Sequence, residues 1–268
     1  MKKAQGPLIP REHGAWALLY GPVLVTVATL GSFDLSLLLF IVALTCLFLA
    51  HEPLAKLARS WGKRVDSRQR ARWVNWLVVY ITLMVAATAP LLFWYRRWLL
   101  IPLGGAIALL MVLHLVLIRQ CSDRYLTAQL LGILALTASA PATWYVARGQ
   151  LDSTALLLWV LNILYFSSGI FHVKMVVSRH VKTSLAPGRA AQSFLYHLLL
   201  LGVVTILAFE GLLPALLALA FAPVLVRAFW GLVSSPVELN LRRLGYTEVA
   251  YTAIFIFLAG AGLAASGV

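Results

Sequence analysis

Residues 51–72, HEPLAKLARSWGKRVDSRQRAR, lie between two apolar runs of helix length and decide how the chain is interpreted. The stretch contains seven of the chain's 22 lysines and arginines. The apolar runs on either side cover about residues 34–55 and 73–95. Because basic residues concentrate in the cytoplasmic loops of membrane proteins, this pattern predicts a cytoplasmic loop that joins two transmembrane helices.

The overall composition is also typical of a membrane protein. The chain has 268 residues, of which 62% are hydrophobic and 12% are charged, and its mean hydropathy is +0.89. A soluble domain carries about twice that charged fraction. The apolar runs are about 20 residues long and do not alternate, which indicates membrane helices and not barrel strands. We therefore predict an all-α polytopic membrane protein, with a single integral membrane domain over residues 1–268.

The apolar windows and the cations together predict the topology. Nine windows are predicted, at about 15–31, 34–55, 73–95, 98–118, 126–147, 154–176, 190–209, 211–230 and 246–266. If the N-terminus is cytoplasmic, 19 of the 22 cations fall on that side, and the other side receives Arg96, Arg97 and Arg148. The positive-inside rule then places the N-terminus inside and the C-terminus outside.

The strongly basic balance has a topological explanation in this context. The formal net charge is +13, and the sequence pI is about 10.3. Cations mark cytoplasmic loops and contact anionic headgroups, so we expect membrane lipids as partners. No basic, aromatic-interleaved domain stands apart from the predicted spans, and we expect no nucleic-acid partner.

A second stretch, residues 171–189 (FHVKMVVSRHVKTSLAPGR), closes a later apolar window in a similar way. Each stretch places a histidine, His51 or His172, where a membrane helix is predicted to end. An arginine, Arg59 or Arg179, follows within about two helical turns. We predict that the two stretches form one site that faces the cytoplasm.

Three interpretations of these residues are open. In the first, the cations populate the membrane interface and extend toward lipid headgroups. In the second, they bind the phosphate or diphosphate of a lipid-like ligand. In the third, histidines hold a metal or haem and a glutamate assists. No paired metal-ligand spacing supports the third, because Glu12–His13 and His51–Glu52 are adjacent pairs that point in different directions on a helix. No metal ligand or cofactor is assigned.

The candidate site residues follow from the second interpretation. The predicted ligand-binding residues are cations, histidines and one amide: Arg11, Lys56, Arg59, Asn162, His172, Lys174, Arg179 and His197. The candidate catalytic residues are His13, Glu12, His51 and Glu52. The most specific local signal is REHGAW at residues 11–16, in which three ionisable groups directly precede a span and a glycine permits close approach.

The segment REHGAWALLYGPVLV resembles the start of the YwiC-like family of bacterial membrane proteins, whose members open with a similar Pro-Arg/Lys-Glu/Gln-His-Gly-Ala-Trp. The resemblance extends through HEPLAKL, FHVKMVVSR and LRRLGYTE. It implies a multi-pass protein of the bacterial cytoplasmic (inner) membrane.

A more distant resemblance is to the UbiA-type intramembrane prenyltransferases, which also have nine helices and polar motifs after the second and sixth. Those enzymes hold Mg²⁺ and an isoprenyl diphosphate with two Asp-rich motifs, NDxxDxxxD and DxxxD. Here Glu52 is the only acid in the place of the first motif, and residues 172–182 contain no carboxylate. Since Mg²⁺ needs oxygen ligands, standard Mg²⁺-dependent transfer is not implied.

The resemblance implies a UbiA-like helical bundle that binds a phosphorylated or quinone-like isoprenoid amphiphile. Such a protein would be a divergent transferase or a binding protein. Two alternatives stay open: a transporter or lipid flippase, and a His/Glu metal- or haem-associated membrane enzyme.

Overall fold

The computed structural model describes residues 6–9, 13–62, 64–120, 126–180, 186–234 and 241–266. Within these ranges the regular structure is entirely helical. The helices are α1 (His13–Leu30), α2 (Leu35–Arg59), α3 (Ser67–Phe93), α4 (Leu100–Gln120), α5 (Leu126–Thr137), α6 (Ser139–Arg148), α7 (Ser153–His180), α8 (Ala186–Phe209), α9 (Ala215–Leu219), α10 (Ala222–Val233) and α11 (Leu241–Ala265). The predicted all-α class is confirmed.

The helices are those of a multi-pass membrane protein. Across the described ranges, seven helical segments are long and apolar enough to cross a membrane. Two further apolar helices, Gly14–Leu30 and Leu100–Leu113, are shorter. The count of nine spans and their orientation stay predictions.

Two of the predicted windows contain a break that the apolar pattern does not reveal. The window at about 126–147 forms α5 and α6, and the window at about 211–230 forms α9 and α10. Proline has no N–H to donate to the carbonyl four residues earlier. Pro141 therefore cannot donate to the carbonyl of Thr137, the last residue of α5. In the same way, Pro223 cannot donate to the carbonyl of Leu219, the last residue of α9.

Short connections join α1 to α2 and α8 to α9, near residues 31–34 and 210–214. Gly31 and Gly211 follow the last residues of α1 and α8 and have φ values of 63° and 71°, which a residue without a side chain adopts at no steric cost. Asp34 then begins the next helix, because its carboxylate accepts a hydrogen bond of 2.9 Å from the Leu37 N–H. The Gly211 turn joins α8 to α9, which contact each other within unit 2.

The described residues group into two compact units. Unit 1 takes its residues from the N-terminal segment, 33–135 and 145–150, and unit 2 takes its residues from 13–32, 136–144 and 151–268. In unit 1, α2 packs against α3 and α4. In unit 2, α1 packs against α11 and α7, while α7, α8 and α10 pack together. The expectation of one integral membrane domain stays a prediction.

Unit 1 is held partly by arginines that donate to backbone carbonyls. Arg97 Nε and Nη2 donate to the carbonyls of Val146 and Ala147, at 2.8 and 3.2 Å, where α6 ends. A Cβ on Gly149, whose φ is 80°, would lie 2.2 Å from Arg97 Nη1. Only glycine therefore leaves room for this guanidinium at the end of α6.

Unit 2 is held partly by close packing of small residues. A Cβ on Gly260 of α11 would lie 2.4 Å from the Cβ of Ala28 on α1. A Cβ on Gly262 would lie 2.9 Å from the backbone nitrogen of Leu217. Small residues let membrane helices approach closely, and here they bring α11 against α1 and α9.

Candidate functional site

Four helices of unit 2 (α7, α8, α10 and α11) bring together a group of polar side chains, which we call the polar cluster. Its members are Ser168, His172, Ser193, His197, Arg227 and Glu248. Each member lies in a segment that is apolar and long enough to span a membrane. Polar groups at such positions are costly in lipid, so they face a partner or a cavity.

An ion pair between α10 and α11 lies at the centre of the cluster. Arg227 Nη1 donates to Glu248 Oε1, and the two side chains are 8% and 25% exposed. The second terminal nitrogen, Arg227 Nη2, donates to Ser168 Oγ at 3.4 Å. The guanidinium carbon also lies 5.1 Å from the ring centroid of Tyr251, which is within the range of a cation–π interaction.

A chain of hydrogen bonds continues from the ion pair to α8. His197 Nδ1 lies 2.7 Å from the Ser193 carbonyl oxygen, and His197 Nε2 lies 3.2 Å from Ser168 Oγ. A carbonyl can only accept, so Nδ1 carries the proton and, in a neutral ring, Nε2 accepts. The Ser168 hydroxyl therefore accepts from Arg227 and donates to His197. This gives the bonds of the cluster one consistent direction.

Two glycines leave room for the side chains of Glu248 and His172. A Cβ on Gly169 would lie 3.3 Å from Glu248 Oε2. A Cβ on Gly231 would lie 3.0 Å from Cε1 of His172 and 3.2 Å from Cε of Met175. The carboxylate thus lies close to the backbone of α7, and the imidazole lies close to the backbone of α10.

Several polar atoms of this region are buried without a hydrogen-bond partner among the described residues. They are Asn162 Oδ1, His172 Nδ1 and Arg227 Nε. The Asn162 amide nitrogen donates to the Leu158 carbonyl at 2.7 Å, so only its oxygen is unpaired. Because a buried polar atom without a partner costs about 1–3 kcal/mol, these atoms are available to a bound molecule.

The cluster lies a short distance inside one end of the helices. His172 is eight residues before the end of α7, and Arg227 is six residues before the end of α10. At 1.5 Å per residue these depths are about 12 and 9 Å. Arg179 joins the two helix ends, because its guanidinium donates to the carbonyls of Gly231, Leu232 and Ser234 at 2.5, 3.2 and 3.3 Å.

Comparison with known proteins identifies the family of the chain. The sequence profile of the family described as YwiC-like protein matches residues 9–144. The chain belongs to the YwiC-like family. It is 26% identical over 197 residues to the Bacillus subtilis (strain 168) protein named "Uncharacterized protein YwiC". The aligned region covers 72% of this chain and 75% of that protein. No solved structure matches the chain.

The family match adds no support to the more distant resemblance. The resemblance to UbiA-type prenyltransferases stays a prediction, since it rests on residue motifs alone. The match at residues 9–144 also ends before the polar cluster, whose first member is Ser168. The cluster therefore lies outside the residues that the family profile matches.

Two predicted binding residues of the YwiC-like chain belong to the cluster, and a third lies farther from the cation-bearing end of α7. His172 and His197 are members, and both are buried, at 5% and 0% exposure. Asn162 is also fully buried on α7, about 15 Å from His172 along the helix. Lys174 lies two residues after His172, and residues with this spacing point away from each other on a helix. The structure thus groups the histidines without Lys174.

Arg179 has structural contacts that the sequence did not indicate. We predicted that it binds an anion, and that role stays a prediction. Its guanidinium already donates hydrogen bonds to three carbonyls at the end of α10. A cation at a helix C-terminus is favourable because of the helix dipole, so this arrangement accounts for Arg179 without a ligand.

The predicted residues of the first stretch lie in unit 1, on α2. Glu52 and Lys56 form an ion pair of 2.9 Å within the helix, with side chains that are 29% and 35% exposed. His51 is half-buried and Arg59 is exposed in the last turn. Two further predicted residues, Arg11 and Glu12, and the side chain of His13 lie outside the described part of the chain. The predicted joint site of the two stretches stays a prediction.

Sequence reasoning missed Arg227 and Glu248 as site residues. Arg227 was counted as one cation of the cytoplasmic side, and Glu248 received no role. A usable signal was present, because each is the only Asp, Glu, Lys or Arg in its predicted window, at 211–230 and 246–266. Single charges of opposite sign in two apolar spans favour a pair between the helices.

The described residues also bear on the metal interpretation. In the ranges that the structure describes, no group of three or more His, Cys, Asp or Glu side chains is arranged to hold a metal ion. In the cluster, the one described carboxylate, Glu248, is bound by Arg227.

Proposed function

We propose that this YwiC-like membrane protein binds the polar head group of a membrane amphiphile, a lipid or an isoprenoid, in the polar cluster of unit 2. The observation that carries the proposal is the buried pair of Arg227 and Glu248, joined through Ser168 to His197. Charges within apolar membrane helices are costly, by up to about 2.5–3.5 kcal/mol at the helix centre on insertion scales. A bound head group offsets this cost by pairing the remaining polar atoms.

The direction of access is part of the proposal. The cluster lies about 9–12 Å inside the ends of α7 and α10. Cations follow at or near the same ends of the helices: Lys174, Arg179, Arg189 and Arg242. The positive-inside rule supports a cytoplasmic location for this end, with nine spans and the N-terminus inside. A head group would then enter from the cytoplasmic leaflet while its tail stays in lipid.

Binding is better supported than Mg²⁺-dependent prenyl transfer. A Mg²⁺-diphosphate complex needs several carboxylate oxygens or waters in octahedral geometry. Glu248 is the described carboxylate of the cluster, and Arg227 already binds it. We therefore propose a binding protein, with a divergent UbiA-like transferase as an extension that the cluster itself does not favour.

Native mass spectrometry of the detergent-extracted protein tests the proposal. We expect an amphiphile to copurify with the wild type and to be lost from the double variant Arg227→Met/Glu248→Met. The matched control is Arg96→Met/Glu210→Met, which replaces one exposed cation and one exposed carboxylate outside the cluster and should retain the adduct. An adduct of equal abundance in all three proteins, or none in the wild type, would contradict the proposal.

Reporter fusions test the proposed orientation. Fusions after Arg72 and Arg189 should report the cytoplasm, and fusions near Arg148 and at Val268 should report the outside, because 19 of the 22 cations then lie inside. A cytoplasmic C-terminus would require an even number of spans. That result would overturn both the nine-span topology and the UbiA-like arrangement.

A further inference from the structure

We propose that the polar cluster selects a neutral head group with carbonyl oxygens, of the quinone class, over a diphosphate. This inference rests on the proposed function, because it names the class of head group that the same site takes. It follows from the charges of the cluster, from its unpaired atoms and from its surroundings.

The charges of the cluster are balanced before any ligand binds. Arg227 is paired with Glu248, and Arg179 is occupied by the carbonyls at the end of α10. A diphosphate brings several negative charges and would lie beside the Glu248 carboxylate. Like charges repel strongly where the effective dielectric constant is low. A neutral head group avoids this repulsion.

The unpaired atoms fit a carbonyl acceptor. Arg227 donates from Nη1 to Glu248 and from Nη2 to Ser168, while its buried Nε–H has no partner among the described residues. The unpaired Nδ1 of His172 lies near Gly231, one turn after Arg227 on α10. A neutral imidazole can donate through Nδ1. In the tautomer with the proton on Nδ1, the cluster offers two donors within one helical turn, and a quinone carbonyl only accepts.

Three of the helices or segments that carry the cluster also contribute to a buried aromatic group, which lies farther from their cation-bearing ends. Tyr165 and Phe255 stack with ring centroids 3.8 Å apart, and Phe221 lies beside both rings at 6.4 and 5.4 Å. These aromatic residues belong to unit 2 and are buried at 4% exposure or less. Hydrogen bonds are electrostatically stronger in such a low-dielectric environment, whereas a multiply charged group loses its hydration there.

Equilibrium binding to the full-length protein in detergent tests the inference with three probes that share one tail. They are a farnesylated 1,4-naphthoquinone, farnesyl diphosphate and farnesol. We expect the naphthoquinone to bind at least about tenfold more tightly than the other two, since only it presents carbonyl acceptors without charge. The variant Arg227→Lys keeps a positive charge opposite Glu248 but has no Nε–H. It should weaken naphthoquinone binding by about tenfold or more.

Arg70→Lys is the matched control, because Arg70 is exposed in the first turn of α3, in unit 1. This variant should bind the naphthoquinone like the wild type. Thermal melting without probes checks that both variants fold, and if Arg227→Lys does not fold, the three-probe comparison on the wild type decides alone.

The outcomes separate the inference from the function on which it rests. Tighter binding of farnesyl diphosphate, or equal binding of farnesol, would overturn the quinone class while leaving amphiphile binding intact. Naphthoquinone binding that is unchanged in Arg227→Lys would overturn the role of Nε–H. Binding of none of the probes, together with no copurifying amphiphile, would overturn the proposed function itself.

Discussion

The end of α2 and the polar cluster of unit 2 contain the same kinds of residues but use them differently. On α2, Glu52 and Lys56 are partners within one helix, four residues apart and about one-third exposed. In unit 2, Arg227 and Glu248 are partners between two helices, 21 residues apart, and Arg227 is only 8% exposed. The first pair is local and the second is tertiary.

The difference shows which charged pair the fold depends on. An i, i+4 pair on a helix surface contributes about 0.2–0.5 kcal/mol and forms wherever the helix forms. Removal of one partner from a buried pair leaves an uncompensated charge and costs about 3–5 kcal/mol. The first motif therefore tolerates change, whereas the second constrains α7, α10 and α11 together.

The largest effect is expected from Arg227→Met. This change leaves the Glu248 carboxylate without its partner, and we expect a loss of about 3 kcal/mol in the free energy of unfolding in detergent. The value lies at the lower end of the usual range because Glu248 is 25% exposed. The double variant Arg227→Met/Glu248→Met should recover most of the loss, since apolar residues of similar volume replace buried pairs well. Additive losses in the double variant would show that the two residues are not coupled.

A second comparison uses one glycine from each unit. Gly260→Ala places a Cβ 2.4 Å from that of Ala28, and we expect it to cost about 2 kcal/mol by forcing α1 and α11 apart. Gly104 on α4 has nothing within 4 Å of an added Cβ, so Gly104→Ala should be neutral or slightly stabilising. Melting temperatures of the two variants in one detergent measure the difference, and equal values would contradict the close packing of α1 on α11.

Arg179→Gln is expected to have a smaller effect than the two changes above. The variant loses charge-assisted bonds to three carbonyls of α10, and we expect a cost of about 1 kcal/mol, since water partly replaces them at this half-buried end. Arg59→Gln is the matched change at the end of α2, where the side chain is exposed, and it should cost only a few tenths of a kcal/mol. If Arg179→Gln binds amphiphile normally but melts earlier, its role is structural. If stability is unchanged and binding is lost, the predicted anion contact is correct.

The smallest effect is expected from Lys56→Met. The pair with Glu52 is partly exposed and local, so its loss should change the free energy of unfolding by no more than about 0.5 kcal/mol. Measured beside Arg227→Met, this variant calibrates the comparison between the two pairs. A loss as large as that of Arg227→Met would mean that the end of α2 has a tertiary role.

The fold class could be predicted from the sequence, but the breaks within the helices could not. Long apolar runs specify membrane helices because lipid leaves the backbone no other hydrogen-bonding partner. Pro22 and Pro141 both lie in apolar windows, yet α1 continues through Pro22 while the helix breaks before Pro141. The apolar pattern is the same in both cases.

The residues that the structure brings together in and around the polar cluster could be predicted from the sequence only in part. His172, His197 and Asn162 could be chosen because a polar residue in an apolar span is costly wherever it lies. Arg227 and Glu248 could have been chosen for the same reason, but a count of cations for topology treats every arginine alike. The glycines Gly169 and Gly231 carry no such signal, since their importance lies in the atoms that approach them.

The sequence by itself determined that this chain is an all-α membrane protein of the YwiC-like family, because composition, apolar run length and the REHGAW segment are local properties. Only the tertiary structure decided that Arg227 meets Glu248 and Ser168, that Ser168 meets His197, and that Arg179 serves the end of α10. Hydrophobic burial is non-directional and can be read from residue types. Hydrogen bonds between distant residues depend on how the helices pack, and no single span of the sequence contains that information.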